Sequence, residues 1–223
     1  VNVSCAIEAV DLVKQVSDGA EALTILDQVS LCLPEGESMA IWGPSGCGKS
    51  TLLGLLAGLD VPTSGTVRWS GEDISSLSEE ARAKKRNGTL GFVFQSFQLM
   101  PQLTALENVM LPLELAGRDA PEVAARSMLE AVGLGSRLRH FPSTLSGGEQ
   151  QRVAVARAFA LAPKVLFADE PTGSLDSASG SRVMELIFEL QAKLGTTVII
   201  VTHDAELARR CNHRIELRAG RLV

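Results

Sequence analysis

MAIWGPSGCGKSTLLGLLAGL, residues 39–59, passes from an apolar strand through a glycine-rich loop into a helix, and its reading decides the fold. Gly43, Gly46 and Gly48 let the backbone curl so that successive N–H groups point inward at an anion. A helix starting at about Lys49 turns its unpaired N–H groups and positive dipole end toward the same place. Lys49 adds a full charge, and the Ser50 hydroxyl is a ligand type suited to Mg²⁺. The run Gly43, Pro44, Ser45, Gly46, Cys47, Gly48, Lys49, Ser50, Thr51 therefore reads as a phosphate-binding loop of the form GxxxxGK[ST]. A chance glycine-rich turn is the alternative, but it would not be expected between a buried strand and a helix.

The 223 residues are enough for one domain with a substantial core, or one core carrying a subdomain. Acidic residues outnumber basic ones, 26 to 21, for a formal charge of −5, so a broad attraction to nucleic acid has no support. Cys5, Cys32, Cys47 and Cys211 are scattered, with no metal-binding spacing, and are expected to be free thiols in a reducing compartment. No apolar run reaches the roughly 18 to 20 residues that span a bilayer. Glu8 and Asp11 fall where a signal peptide would be apolar, so the chain is expected in the cytosol.

Outward from the loop, residues 7–14 and 23–33 alternate between apolar and polar, which predicts antiparallel strands joined through SDGAE. Residues 38–42 read as a buried strand, the loop's helix is expected to run to about Leu59, and a strand follows over 66–70. LSEEARAKKR has helical composition, with Ser78 as N-cap and charges that solvate a surface face. After the apolar run 90–94, helical periodicity continues from Phe97 to Ala162, with helices over 106–116, 121–132 and 146–161. Strands return at 165–168 and 196–202, separated by a helix over 176–194, and a short helix and a closing strand over 214–218 end the chain. Strands alternating with helices on both sides of an all-helical stretch imply an α/β fold: a parallel-sheet core, an antiparallel β subdomain near the N-terminus and a helical insertion. The division expected is a single domain, 1–223, with 1–95 and 163–223 as core and 96–162 as helical subdomain.

Asp169 and Glu170 end an inner strand, where open α/β sheets bind ligands. Asp169 can hold Mg²⁺ through its water shell, and Glu170 can accept a proton from water attacking a γ-phosphate. Gln95 ends residues 91–95, GFVFQ, in the same way and suits Mg²⁺ or the attacking water. His203 follows TTVIIVT and precedes a cap at Asp204, a position from which an imidazole can contact a γ-phosphate, although a lone histidine is more often structural. Ser146 to Glu149, SGGE, forms a capping box. The box accounts for Ser146 and Glu149; Gly147 and Gly148 weaken a first helical turn unless a ligand approaches its N–H groups. Nothing obliges that helix start to face the phosphate loop of its own chain, so a site shared between two chains is attractive. Asp176 heads a helix, where capping and function are both open.

These residues together resemble the ATP-binding-cassette ATPases: GPSGCGKS as Walker A, Gln95 as Q-loop, LSGGEQQRVAVARA as signature, VLFADE as Walker B, SLD as D-loop and His203 as H-loop. More narrowly, GLDVPTSG, GFVFQSFQLMPQLTALENVMLPL and FADEPTGSLD resemble the lipoprotein-releasing and macrolide-exporter ATPase group, with ARAKKR and FVFQSF similar to its YbbA-type branch. The resemblance implies a P-loop NTPase core of RecA-like fold, ATP and Mg²⁺ as cofactors, and Lys49, Gln95, Glu170 and His203 as catalytic residues. It implies a head-to-tail homodimer in which Walker A of one chain and the signature of the other enclose each ATP, with Asp176 contributing. It further implies an inner-membrane permease as partner, a peripheral place on the cytoplasmic side of that membrane, and ATP-driven dimerisation that powers export, extraction or mechanotransmission. A soluble ABC ATPase acting on DNA or ribosomes and a phosphate-loop kinase are the competing readings; acidic charge speaks against the first and SGGEQ against the second.

Phe97, Leu99 and Met100 around Pro101 are hard to bury all at once, which makes residues 97–101 the expected docking place for the permease. One departure from the family stands out. The family usually stacks adenine on an aromatic residue before its second strand, whereas this chain has no Tyr and the matching place is about Val16. Losing that stacking forfeits roughly 1 kcal/mol, by analogy with aromatic pairs. We predict that GTP competes measurably with ATP; strong ATP preference in a nucleotide-competition assay would defeat this.

Overall fold

A computed structural model describes residues 5–18 and 21–223. The elements, in chain order, begin with β1 (Cys5–Asp18), β2 (Glu21–Pro34), β3 (Ser38–Trp42), α1 (Lys49–Leu56), β4 (Ser64–Trp69), β5 (Glu72–Asp73) and α2 (Glu79–Arg86). Next come β6 (Leu90–Phe94), α3 (Ala105–Leu115), α4 (Pro121–Ala131), α5 (Gly147–Phe159), β7 (Val165–Asp169) and α6 (Ser177–Leu194). The chain closes with β8 (Thr197–Thr202), α7 (Ala205–Arg210), β9 (His213–Arg218) and β10 (Arg221–Leu222). Two compact units form: residues up to 86 together with 197–223, and residues 87–196. The expected SDGAE turn includes Gly19 and Ala20, which lie outside the described residues.

In the first unit β1 pairs antiparallel with β2 and β4, and β4 with β5, as the alternating pattern predicts. Ile7, Leu12, Leu26, Val29, Leu33 and Val67 line the buried side of these strands. β3 runs parallel to β8 on one side and β9 on the other; Met39, Ala40 and Ile41 are buried, and Ser38, buried at its start, donates its hydroxyl to Asn212. Leu52, Leu53, Leu55 and Leu56 of α1 are buried. The helix stops at Leu56, short of the expected Leu59, because Gly58 N–H turns back to the Leu55 carbonyl at 3.0 Å and Leu59 N–H to the Gly54 carbonyl at 2.9 Å. This pair of bonds closes a helix C-terminus.

Ser78 caps α2 as expected, but the charges of this helix do more than solvate a face. Arg82 is only 8 % exposed, donating to the Leu77 carbonyl at 2.6 Å and to Glu79 at 2.8 Å. Arg86 donates to the Gly58 carbonyl, covering the end of α1. A guanidinium on a long stem can do this because its planar donors reach several carbonyls from one buried position.

In the second unit β6 and β7 pair in parallel, and the Phe92 ring stacks on Phe94 and Phe167 at 5.8 and 5.7 Å. No strand falls between Phe94 and Val165, and α3, α4 and α5 lie within one or two residues of the expected helices at most ends. Asn108, fully buried on α3, accepts from Met100 N–H at 2.8 Å and donates to the Met100, Leu103 and Thr104 carbonyls. That fastens the loop which leads into the helices.

The expectation of four free thiols is corrected. Cys5 and Cys32 form a disulfide with their Cα atoms 5.7 Å apart, while Cys47 and Cys211 are free and buried. Burial pushes the Cys211 thiol up to about 11. The pairing is not legible in the sequence because 27 residues separate the two cysteines and only the pairing of β1 with β2, Cys5 opposite Pro34 and Cys32 opposite Glu8, brings them close. Cysteine usage therefore gives no argument for a reducing compartment. We predict that the unfolded, unreduced chain titrates two thiols and the reduced chain four, the latter count being excluded without reductant if the bond is present. Alanine at Cys5 and Cys32 together lowers stability in urea melts by about 2–4 kcal/mol.

Candidate nucleotide-binding and hydrolysis site

The phosphate loop leaves β3 after Trp42. Gly43 has φ 152°, and a Cβ there would sit 2.2 Å from the Leu217 carbonyl oxygen; Gly48 has φ 102° and lies against Leu26 and the Ile25 carbonyl. Both positions exclude a side chain, so the loop can seat its backbone directly on β2 and β9. Gly220 N–H donates to the Cys47 carbonyl at 3.2 Å, and the Gly220 carbonyl accepts from Asp27 N–H at 2.9 Å, which fastens the β9–β10 turn between loop and β2. Pro44, Ser45 and Gly46 stay exposed at the loop's crest, and Thr51 is half-buried.

Lys49, 9 % exposed, opens α1 as predicted, and its Nζ donates to the Gly43 and Pro44 carbonyls, each at 2.9 Å. A buried ammonium needs such acceptors, and they hold its charge inside the curl of the loop. Ser50 follows it on the exposed side of the helix start. Trp42 of β3 is in register with Thr202 of β8, so Gly43 and His203 are the next residues beyond the ends of two paired parallel strands. Asp204 then caps α7 by accepting from Glu206 N–H at 2.7 Å and Leu207 N–H at 3.3 Å. His203 is exposed, as its place before that cap leads one to expect.

Val16 stands opposite Leu23 in the β1–β2 ladder, and the two are 38 % and 63 % exposed. They form an aliphatic pair on the same strands that carry Ile25 and Leu26 to the phosphate loop. Leu23 was not singled out from the sequence. Strand pairing was the only signal that could have found it.

The second unit repeats the strand-end arrangement. Phe94 of β6 is in register with Asp169 of β7, so Gln95 and Glu170 leave the same end side by side. Glu170 is half-buried with φ 48°, a left-handed conformation unusual for a residue with a side chain. The Gln95 amide lies against Gly173, in the turn that follows Glu170. Asp169, Glu170 and Gln95 thus come together, and Lys49, Gly43 and His203 form the corresponding set on the first unit.

At the start of α5 the capping box is present in full. Glu149 N–H donates to the Ser146 hydroxyl at 3.3 Å, and Ser146 N–H to the Glu149 carboxylate at 2.9 Å. The bond from Ser146 N–H holds the Glu149 carboxyl below the usual carboxylate range, with the Ser146 hydroxyl and Arg137 adding to the effect against partial burial. Gly148 has a local reason to lack a side chain, since a Cβ would press on Ser179 at 3.3 Å. Gly147 sits near Leu175 and Phe97 at ordinary contact distances. Asp176 caps α6 by accepting from Ser179 N–H at 3.0 Å, and the bonds from Ser179 lower its carboxyl. A cavity of about 570 Å³ beside these helix starts is lined by Ser146, Glu149, Arg152, Ser179 and Arg182. Burial, then the charge of Arg182, lowers the Arg152 guanidinium, and Glu149 opposes the shift.

Arg157 and Gln151 of α5 escaped the sequence reading. Arg157 donates to the Gln98 carbonyl at 2.7 Å and the Phe97 carbonyl at 3.0 Å, and burial lowers its guanidinium. Gln151 donates to the Pro171 carbonyl at 2.6 Å and the Phe94 carbonyl at 3.3 Å. The signal for Gln151 was a polar residue in the apolar stripe that continues through Ala154, Val155 and Ala158.

The sequence profile of ABC transporters matches residues 26–173. The chain is 52 % identical over 218 residues to the ABC transporter ATP-binding protein YbbA of Escherichia coli K12, a match covering 97 % of this chain and 96 % of that one. The YbbA proteins of Escherichia coli O157:H7 and Shigella flexneri match to the same extent. Among solved structures, the dimeric post-hydrolysis state of the ATP-binding cassette MJ0796 bound to ADP and Pi is similar with a TM-score of 0.89, 40 % identity and 97 % and 96 % of the two chains covered. A second dimeric structure of MJ0796, described as a bacterial ABC transporter cassette, is similar with a TM-score of 0.89 and 41 % identity over the same shares. These matches bear out the cassette fold and the resemblance to YbbA-type proteins, and give the DNA- or ribosome-directed alternative no support. The chain belongs to the ABC transporter family, as an ATP-binding subunit.

Proposed function

We propose that this subunit hydrolyses ATP between two copies of itself and passes the resulting motion to an integral inner-membrane permease. The observation that carries the reading is the phosphate loop: left-handed glycines seat it on neighbouring backbone, and Lys49 opens the helix from inside its curl. The N–H groups of residues 45–51, together with Lys49, bind the phosphates, with Gly43 and Pro44 shaping the approach. The Val16 and Leu23 pair receives the base.

Ser50, Gln95 and Asp169 supply hard oxygen donors of the kind Mg²⁺ prefers, and their chemistry fits that ion. When bound, Mg²⁺ neutralises charge on the phosphate oxygens. Glu170 holds the attacking water and takes its proton as the water oxygen bonds to the γ-phosphorus and the bond to the β-phosphate oxygen breaks. ADP is the leaving group. Gln95 orients the water, and His203 donates to the γ-phosphate. Ser146, Gly147, Gly148, Glu149 and Asp176 of a second copy complete the enclosure, each helix start turning N–H groups toward the anion. The dimeric state of the similar MJ0796 cassette, one example holding ADP and Pi, supports this arrangement.

In this reading residues 96–162 act as a helical subdomain on a core of 1–95 and 163–223, and residues 97–101 receive the permease. Phe97 and Leu99 are half-buried and Met100 is 42 % exposed, on a loop fastened by Asn108. Among the described residues no helix is long and apolar enough to cross a membrane, which suits peripheral attachment at the cytoplasmic face through that partner.

Two experiments test the reading. Glu170→Gln is expected to lower kcat at least about 100-fold and to accumulate an ATP-bound dimer by gel filtration; hydrolysis at the parental rate would remove the base assignment. Replacing Leu99 and Met100 together with Asp is expected to abolish co-purification with an integral membrane permease from the native cell while leaving nucleotide affinity intact, and retained co-purification would count against the docking place.

A further inference from the structure

Two side chains of α5 reach four carbonyl oxygens, and all four flank groups assigned to hydrolysis. Gln151 holds Phe94, the residue before Gln95, and Pro171, the residue after Glu170. Arg157 holds Phe97 and Gln98, the second and third residues after Gln95. Phe97 and Gln98 both have positive φ, 60° and 49°, so the loop adopts two consecutive conformations that residues with side chains avoid. Such a pair persists only where its surroundings impose it. A planar guanidinium donating to both carbonyls at once is a suitable constraint, because its fork fixes their separation and direction.

Gln151 supplies a second argument. It is fully buried, its Nε2 serves both carbonyls, and its Oε1 has no hydrogen-bond partner. A buried acceptor without a partner destabilises the fold. The unpaired oxygen therefore gives no reason for an amide here. Its donors do: they tie the end of β6 to the loop after β7 through a single side chain.

We infer that Gln151 and Arg157 are positioning residues that bind the Gln95 and Glu170 segments to the same rigid helix whose start carries the Ser146 cap. Any displacement of that cap is then transmitted to Gln95 and to the loop after Glu170 as one movement. The inference rests on the reading of Gln95 and Glu170 as hydrolytic groups. Lys49 and Ser50 lie in the other compact unit, so the clamp should leave nucleotide affinity alone and affect turnover.

Gln151→Met and Arg157→Lys keep side-chain bulk, and the lysine keeps the charge while offering a point donor instead of a fork. In the full chain with Mg-ATP, each is expected to lower kcat about tenfold with KM for ATP changed less than about twofold. Because Arg157 acts through Gln95, adding Arg157→Lys to Gln95→Ala should slow hydrolysis no further. Unchanged kcat in both folded single variants, or full additivity in the double variant, overturns the inference. Should Arg157→Lys lower the melting temperature, hydrogen exchange well below that temperature decides: amides of residues 95–98 are expected to exchange faster while those of 39–59 do not, and unchanged exchange at 95–98 overturns the clamp. Parental hydrolysis by Glu170→Gln would instead sink the base assignment and leave the exchange result standing.

Discussion

A parallel strand buried on both faces has nowhere to put a polar side chain until it ends, and this constraint organises the site. β3 and β8 are buried along nearly their whole length and finish in register at Trp42 and Thr202. β6 and β7 finish in register at Phe94 and Asp169. The first residues beyond these ends are Gly43 and His203 on one unit, and Gln95 and Glu170 on the other. Hydrophobic burial along the strands puts phosphate loop and imidazole at strand ends in the first unit, and amide and carboxylate at strand ends in the second.

Beyond the strand ends, backbone contacts replace the ladder. The phosphate loop lies against β2 and β9 because Gly43 and Gly48 have no Cβ to keep neighbouring carbonyls away, and Gly220 ties the closing turn to Cys47. Elsewhere buried polar side chains do the fastening. Asn108 fixes residues 100–104, Gln151 and Arg157 fix the segments around Gln95 and after Glu170, and Arg82 and Arg86 fix the end of α1 and the turn before α2. In each case the partner is a backbone carbonyl, a group that cannot be left unsatisfied when the loop is buried.

How much of this was legible depended on how local the deciding physics was. Lys49 at the helix start, the capping box from Ser146 to Glu149, the caps at Asp176 and Asp204 and the continuous apolar strands all follow from a few adjacent residues. They were read with end errors of one to three residues, as at Leu56, where the closing hydrogen bonds stop the helix early. The disulfide between Cys5 and Cys32 was misread, because strand register joins residues far apart in sequence. Composition alone predicts a solvated charge at Arg82, since it cannot reveal that the carbonyl partner lies five residues back in a turn. Leu23, Gln151 and Arg157 were passed over for the same reason: each acquires its role from a partner that the linear order does not bring near.

By itself the sequence determined the family, the order of elements and the phosphate loop, and it supplied the residues proposed for hydrolysis, because motif chemistry and hydrophobic periodicity act over short spans. Tertiary structure alone decided which strand ends coincide, which cysteines bond, which residue stands opposite Val16, and which buried side chains grip the loops. Those depend on register and on close backbone approach, which are set only when distant segments pack.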